Sequence, residues 1–198
     1  MTITSAIFVA ELTDKDALLL LTLATKTNAW LVFAAGSVAF TITSAIIVTV
    51  GYLLVSIVPV SLISIAGGVI MIGYGAWVFF KTQKGEEKEV GEANGRRIST
   101  GDSSNVLTMF LTMVSFLISL DLAGDATEVL TILFVARFEN TLLVFAGAVC
   151  ALVAASAIET MIGNRLSRIL TPSRIRLFST LVFLVIGTTA IFTALFHL

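Results

Sequence analysis

Glu11, Asp14, Lys15 and Asp16 interrupt an apolar run that enters at Ile3 and leaves at Ala24. Asp121, Asp125 and Glu128 interrupt another. Glu11, Asp14 and Lys15 stand at i, i+3 and i+4, so a regular helix carries all three on one face. Asp121, Asp125 and Glu128 stand at i, i+4 and i+7 and share a face on the same assumption, whereas Asp16 points nearly opposite Asp14. Carboxylates with hydroxyls beside them (Thr13, Ser119, Thr127, and Ser44 and Ser156 farther along) form an all-oxygen donor set. Such donors suit Ca²⁺, Mn²⁺ or Mg²⁺ rather than soft metals. Burial without a cation favours a protonated carboxyl, and a nearby cation favours the carboxylate. The same groups can therefore hold protons on one stroke and a metal on the other. Lys15 offsets part of the negative charge when no metal is held.

These groups sit in a chain built for lipid. Of 198 residues, 57% are hydrophobic and 13% charged, against about 25% charged in a soluble domain. An ionisable residue at a bilayer centre costs at least about 2.5–3.5 kcal/mol, so it persists where it faces a cavity or a partner. Net charge is −1 and no basic tract is present, which gives no reason to expect a nucleic-acid partner. The expected partners are the lipid bilayer and a divalent cation, and a homo-oligomer is compatible with the composition. No prosthetic group is expected. Cys150 is the single cysteine, so neither an internal disulfide nor dithiol redox chemistry is expected. The N-terminus lacks a basic n-region and a cleavage pattern, so it is expected to be a first helix rather than a signal peptide.

The fold predicted is an all-α integral membrane protein with six transmembrane helices. They span roughly 3–25, 29–54, 60–81, 105–136, 141–163 and 176–197. The fourth is too long for one straight span, and a break near Gly124 would explain its length. Residues 82–104 form a charged connector rich in Gly and Ser, in which Glu86, Glu87, Glu89 and Glu92 alternate with Lys84 and Lys88. It reads as a flexible, solvated linker. Every Lys and Arg except Lys15 and Arg137 falls in the loops between predicted helices 1–2, 3–4 and 5–6. The positive-inside rule then places the connector in the cytoplasm and both termini outside. Glu159 lies near the cytoplasmic end of the fifth helix, close to Arg165, and reads as an interfacial ion pair in preference to a role in ion entry.

The halves resemble each other. "LVFAAGSVAFTITSAIIVTVG" (31–51) lies over "LVFAGAVCALVAASAIETMIG" (143–163) at a shift of 112, with identities at Leu31/Leu143, Phe33/Phe145, Ser44/Ser156, Ile46/Ile158 and Gly51/Gly163. At a shift of 111, Asp14 falls on Asp125. Three helices per half is an odd number, so the copies enter the membrane from opposite sides. Residues 1–81 form one repeat and 105–198 the other, an inverted-topology plan whose ion sites lie between repeats near the midplane.

At these residues the chain resembles the Golgi-type calcium/manganese–proton exchangers, small proteins of two inverted three-helix repeats within the lysine-exporter superfamily. Each repeat of that family carries Glu-Φ-Gly-Asp-(Lys/Arg)-(Thr/Ser), where Φ is apolar. "FVAELTDKD" (8–16) is similar to the first motif at Glu11, Asp14 and Lys15, with Thr13 in place of Gly and Asp16 in place of Thr/Ser. "DLAGDAT" (121–127) is similar to the second at Gly124, Asp125 and Thr127, with Leu122 in place of Glu and Ala126 in place of the basic residue. Asp121, one residue earlier, is a candidate for the missing carboxylate. The resemblance implies a cation/proton antiporter exporting Mn²⁺ or Ca²⁺ from the cytoplasm across the cell membrane, not an enzyme. Glu11, Asp14, Asp121 and Asp125 are the first candidate ligands. Glu128, Asp16 and Thr127 follow, with Lys15 as compensating charge. Two other readings compete: an exporter of a cationic or zwitterionic organic solute or of another metal within the superfamily, and an intramembrane aspartyl protease using Asp14 and Asp125.

Overall fold

A computed structural model describes residues 2–12, 20, 23–24, 27–80, 106–122, 126–138, 140–169 and 172–196. Among these residues every element is helical: α1 Thr2–Glu11, α2 Ala29–Ile57, α3 Val60–Phe80, α4 Val106–Asp121, α5 Ala126–Arg137, α6 Thr141–Ile169 and α7 Pro172–Phe196. Local chemistry sets their ends. Asn28 caps α2, its side-chain oxygen accepting the Trp30 N–H at 2.9 Å. Asn140 does the same for α6, accepting the Leu143 N–H at 3.1 Å. Each supplies a partner to one of the orphan donors of a helix start. Between α2 and α3, Val58 is extended (φ −111°, ψ 133°), as a residue preceding proline prefers. Pro59 then opens α3 by accepting from the Leu62 and Ile63 N–H groups.

Ala29–Ile57, Val60–Trp77 and Thr141–Met161 are each long and apolar enough to cross a membrane. α4 and α5 add a fourth span if taken together as one broken span, bent by 68°. Trp30, Ile57, Leu62, Val106, Leu142 and Leu143 are large apolar residues left exposed on the surface. An apolar surface of that extent calls for lipid rather than water. The protein is therefore an α-helical membrane protein, with three or four such spans among the described residues. The first predicted helix falls partly outside them, and in α7 the described apolar stretch is short, Phe183–Phe196. The connector 82–104 lies outside the described residues.

α2 and α6 pack against each other at the centre of the bundle. α4 and α5 flank α2, α1 flanks α6, and α3 packs along α7. The central helices correspond closely. Each has 29 residues, and their first and last residues differ by the same shift of 112. Their buried faces also coincide: Val32, Gly36, Ala39, Phe40 and Ser44 on α2 match Val144, Ala148, Ala151, Leu152 and Ser156 on α6.

The α3–α7 crossing depends on backbone contact. A Cβ on Gly187 would lie 2.7 Å from the Gly68 carbonyl oxygen, and one on Gly68 would lie 2.8 Å from the Gly187 oxygen. Small residues at such crossings let helices approach where lipid supplies no hydrophobic drive. Neither obstacle is a flexible side-chain tip. Gly187→Ala should therefore cost about 1–3 kcal/mol through overpacking and lower the thermal-unfolding midpoint in detergent. An unchanged midpoint would mean that the helices are not in this contact.

The break expected near Gly124 falls between two described helices, so the fourth segment is not one continuous helix over 105–136. α4 stops at Asp121, Leu122 forms a turn, and α5 resumes at Ala126 on a different axis. Asp, Gly and Asp at 121, 124 and 125 are weak helix formers. Across that break, a spacing of i, i+4 and i+7 no longer puts Asp121, Asp125 and Glu128 on one helix face. α1 runs to Glu11 with Leu12 in a turn, Leu20, Leu23 and Ala24 are again helical, and the rest of the predicted 3–25 lies outside the described residues.

Candidate functional site

The breaks place acids at helix ends. Glu11 is the last residue of α1, Asp121 is the last of α4, and Thr127 and Glu128 lie in the first turn of α5. Glu11 is fully buried, and Asp121 and Thr127 are each 4% exposed. The Thr127 hydroxyl donates to Glu11 Oε2 at 3.2 Å. This bond spans 116 residues and joins the first acidic motif to the second. Thr131, one turn on, is also buried and donates to the Thr127 carbonyl at 2.8 Å.

Beside this bond lies a small cavity. Its walls are Thr43, Ser44 and Ile47 from α2, Asp121 from α4, Thr127, Glu128 and Thr131 from α5, and Leu152 from α6. Its polar lining is entirely oxygen: two carboxyl groups and the hydroxyls of Thr43, Ser44, Thr127 and Thr131. The Ser44 hydroxyl is buried and finds no hydrogen-bond partner among the described residues, and the same holds for its counterpart Ser156. Ser156 Oγ lies 3.3 Å from where a Cβ on Gly36 would stand. Buried hydroxyls in that condition carry a cost that an added ligand can relieve. Hard oxygen donors facing a small cavity suit a divalent cation of the Ca²⁺, Mn²⁺ or Mg²⁺ type.

Of the predicted site residues, the structure brings together Glu11 and Thr127 in a direct contact, and Asp121, Thr127 and Glu128 around the cavity. Thr13, Asp14, Lys15, Asp16 and Asp125 lie outside the described residues. Among the described residues no three acids, histidines or cysteines gather closely enough to hold a metal by themselves. One expectation is corrected. Ser119 is exposed and donates to the Ser115 carbonyl at 2.8 Å on the outer face of α4, away from the cavity. Two residues before Asp121, it lies on the opposite side of the helix. Glu159 is buried, 2% exposed, and its expected ion pair with Arg165 falls on a side chain outside the described residues.

Sequence reasoning missed Thr43 and Thr131. Thr131 was within reach, because it stands one turn past Thr127 on the same face. Thr43 adjoins Ser44, and only the packing of α2 shows that both side chains reach the cavity.

Leu122 occupies the position of the absent motif glutamate and is 40% exposed, whereas Asp121 beside it is buried against the cavity.

The family model described as divalent cation/proton antiporter GDT1 matches residues 1–86 and 106–197. No curated protein and no solved structure matches the chain.

Proposed function

The chain belongs to the GDT1 family of divalent cation/proton antiporters, and from that premise we propose that it exports Mn²⁺ or Ca²⁺ from the cytoplasm in exchange for H⁺. Families of this kind are transporters, so the aspartyl-protease reading of Asp14 and Asp125 is set aside. The observation that carries the proposal is the buried Thr127–Glu11 hydrogen bond. It puts the acid-bearing end of α1 against the start of α5, so the two acidic segments act as one site.

In this reading residues 1–81 and 105–198 are inverted repeats joined by the cytoplasmic connector 82–104, with both termini outside. The matching bounds, asparagine caps and buried faces of α2 and α6 support it. Glu11, Asp14, Asp121 and Asp125 ligate the cation. Asp16, Thr127 and Glu128 complete the shell, and Lys15 offsets charge when the cation leaves. Protons replace the metal on the carboxylates, so an inward proton gradient drives metal outward. Rocking of one repeat against the other exposes the site to each side in turn.

The test is uptake of Mn²⁺ or Ca²⁺ into proteoliposomes after a pH jump. The wild-type chain should accumulate the cation only while the proton gradient lasts. Asp14→Asn and Asp125→Asn should each abolish that uptake. Normal transport by both variants would refute the site.

A further inference from the structure

Glu159 is a fully enclosed carboxyl that the exchange scheme above leaves without a role. It lies on α6 in a buried strip formed with Leu152, Ser156 and Thr160. These are positions i, i+4, i+7 and i+8, which share one helix face. Leu152, at the start of this strip, is already a wall of the polar cavity. Glu159 stands about 10 Å farther along the helix axis, at about 1.5 Å per residue. Its Cα–Cβ bond tilts back toward the N-terminus of α6, as in any α-helix, and so toward Ser156.

At the shift of 112, Glu159 corresponds to Ile47, as Ser156 corresponds to Ser44. Ile47 and Ser44 both line the cavity against Asp121, the last residue of α4, and α2 packs on α4. α6 packs in the same way on α1, whose last residue is Glu11. The position that is an apolar wall in one repeat is thus a carboxylate in the other. Because α2 and α6 run in opposite directions in the proposed topology, Ile47 lies toward the outside and Glu159 toward the cytoplasm.

We infer that Glu159 is a specificity-determining ligand on the cytoplasmic wall of the cation site, which receives a divalent cation entering from the cytoplasm and has no equivalent on the outer wall. This rests on the antiporter reading and adds sidedness to it. The inward-facing site has one more hard oxygen ligand than the outward-facing site, so it loads at lower cation concentration and releases outside.

The experiment compares everted and right-side-out membrane vesicles containing the full chain, with Mn²⁺ and Ca²⁺ as probes. Glu159→Gln keeps the shape and removes the charge. It should raise the half-saturating concentration at the cytoplasmic face at least about fivefold and leave that at the outer face within about twofold. Ile47→Glu installs the acid on the other wall and should lower half-saturation at the outer face alone. This second variant decides the matter if Glu159→Gln does not fold, as judged by its elution profile and thermal midpoint. Equal shifts at both faces would make Glu159 a ligand of the central site without sidedness. No shift at either face would leave it a packing residue. Either result overturns the inference. Absence of exchange in the wild-type chain would instead reject the antiporter reading itself.

Discussion

Glu11→Gln should abolish proton-coupled cation uptake while leaving the fold intact. The substitution keeps size and an accepting oxygen, so the Thr127 hydroxyl retains its partner and the contact between α1 and α5 survives. The lost element is a negative charge in a fully buried position. A unit charge pair at 4 Å is worth about 4 kcal/mol at an effective dielectric of 20, and a divalent ion doubles the attraction. Much of that offsets the stripping of water from the ion and the carboxylate. A residual of about 2.7 kcal/mol would still weaken binding about 100-fold. Uptake at a fixed cation concentration should therefore fall to background while the thermal midpoint without metal stays close to that of the wild type. Uptake above about a tenth of the wild-type rate would show that Glu11 is a structural acceptor for Thr127 and not a ligand. Thr127→Val separates the two roles from the other side, since it removes the hydrogen bond and leaves the charge.

The second large effect belongs to Asp121. Its neighbour Leu122 stands at the motif's glutamate position but faces outward, and Asp121 is the acid that the end of α4 presents to the cavity. If it supplies the displaced carboxylate, Asp121→Asn should remove stabilisation of the protein by metal. A ligand at 100 times its Kd stabilises by about 2.7 kcal/mol, and at its Kd by only about 0.4 kcal/mol. A 100-fold loss of affinity in the variant moves the same Mn²⁺ or Ca²⁺ concentration from the first regime to the second. The metal-induced rise in melting temperature seen with the wild-type chain should then nearly vanish. A full rise in Asp121→Asn would mean that the second repeat binds without this acid. Leu122→Ala, on the exposed side of the same turn, should behave as wild type.

Much of the architecture is legible in the amino-acid sequence. Apolar length, Pro59 and the polar breaks locate the helices, and the ungapped match of 31–51 to 143–163 anticipates two central helices with identical bounds and similar buried faces. The acids are legible because each costs too much in lipid to be incidental. Their local geometry is not, because helical spacing fails across a break. Once α4 ends at Asp121 and α5 starts on a new axis, spacing no longer says which side chains converge. Ser119 differs for the opposite reason. It sits on a continuous helix, where its two-residue offset from Asp121 already puts it on the far face. Glu159 illustrates a third limit. Its sequence neighbour Arg165 suggests an interface, whereas its burial is set by tertiary packing, which no local pattern encodes.

The central claim is that the end of α1 and the break between α4 and α5 hold a single divalent cation. Anomalous scattering from crystals grown with Mn²⁺ tests it most directly, since the ion reports its own position. One strong peak is expected between these segments, about 2.0–2.6 Å from carboxylate oxygens in the range of hard-cation ligation, with Glu11 and Asp121 among the ligands. A peak confined to the acidic connector at Glu86–Glu92, with none between α1 and α5, would contradict the claim.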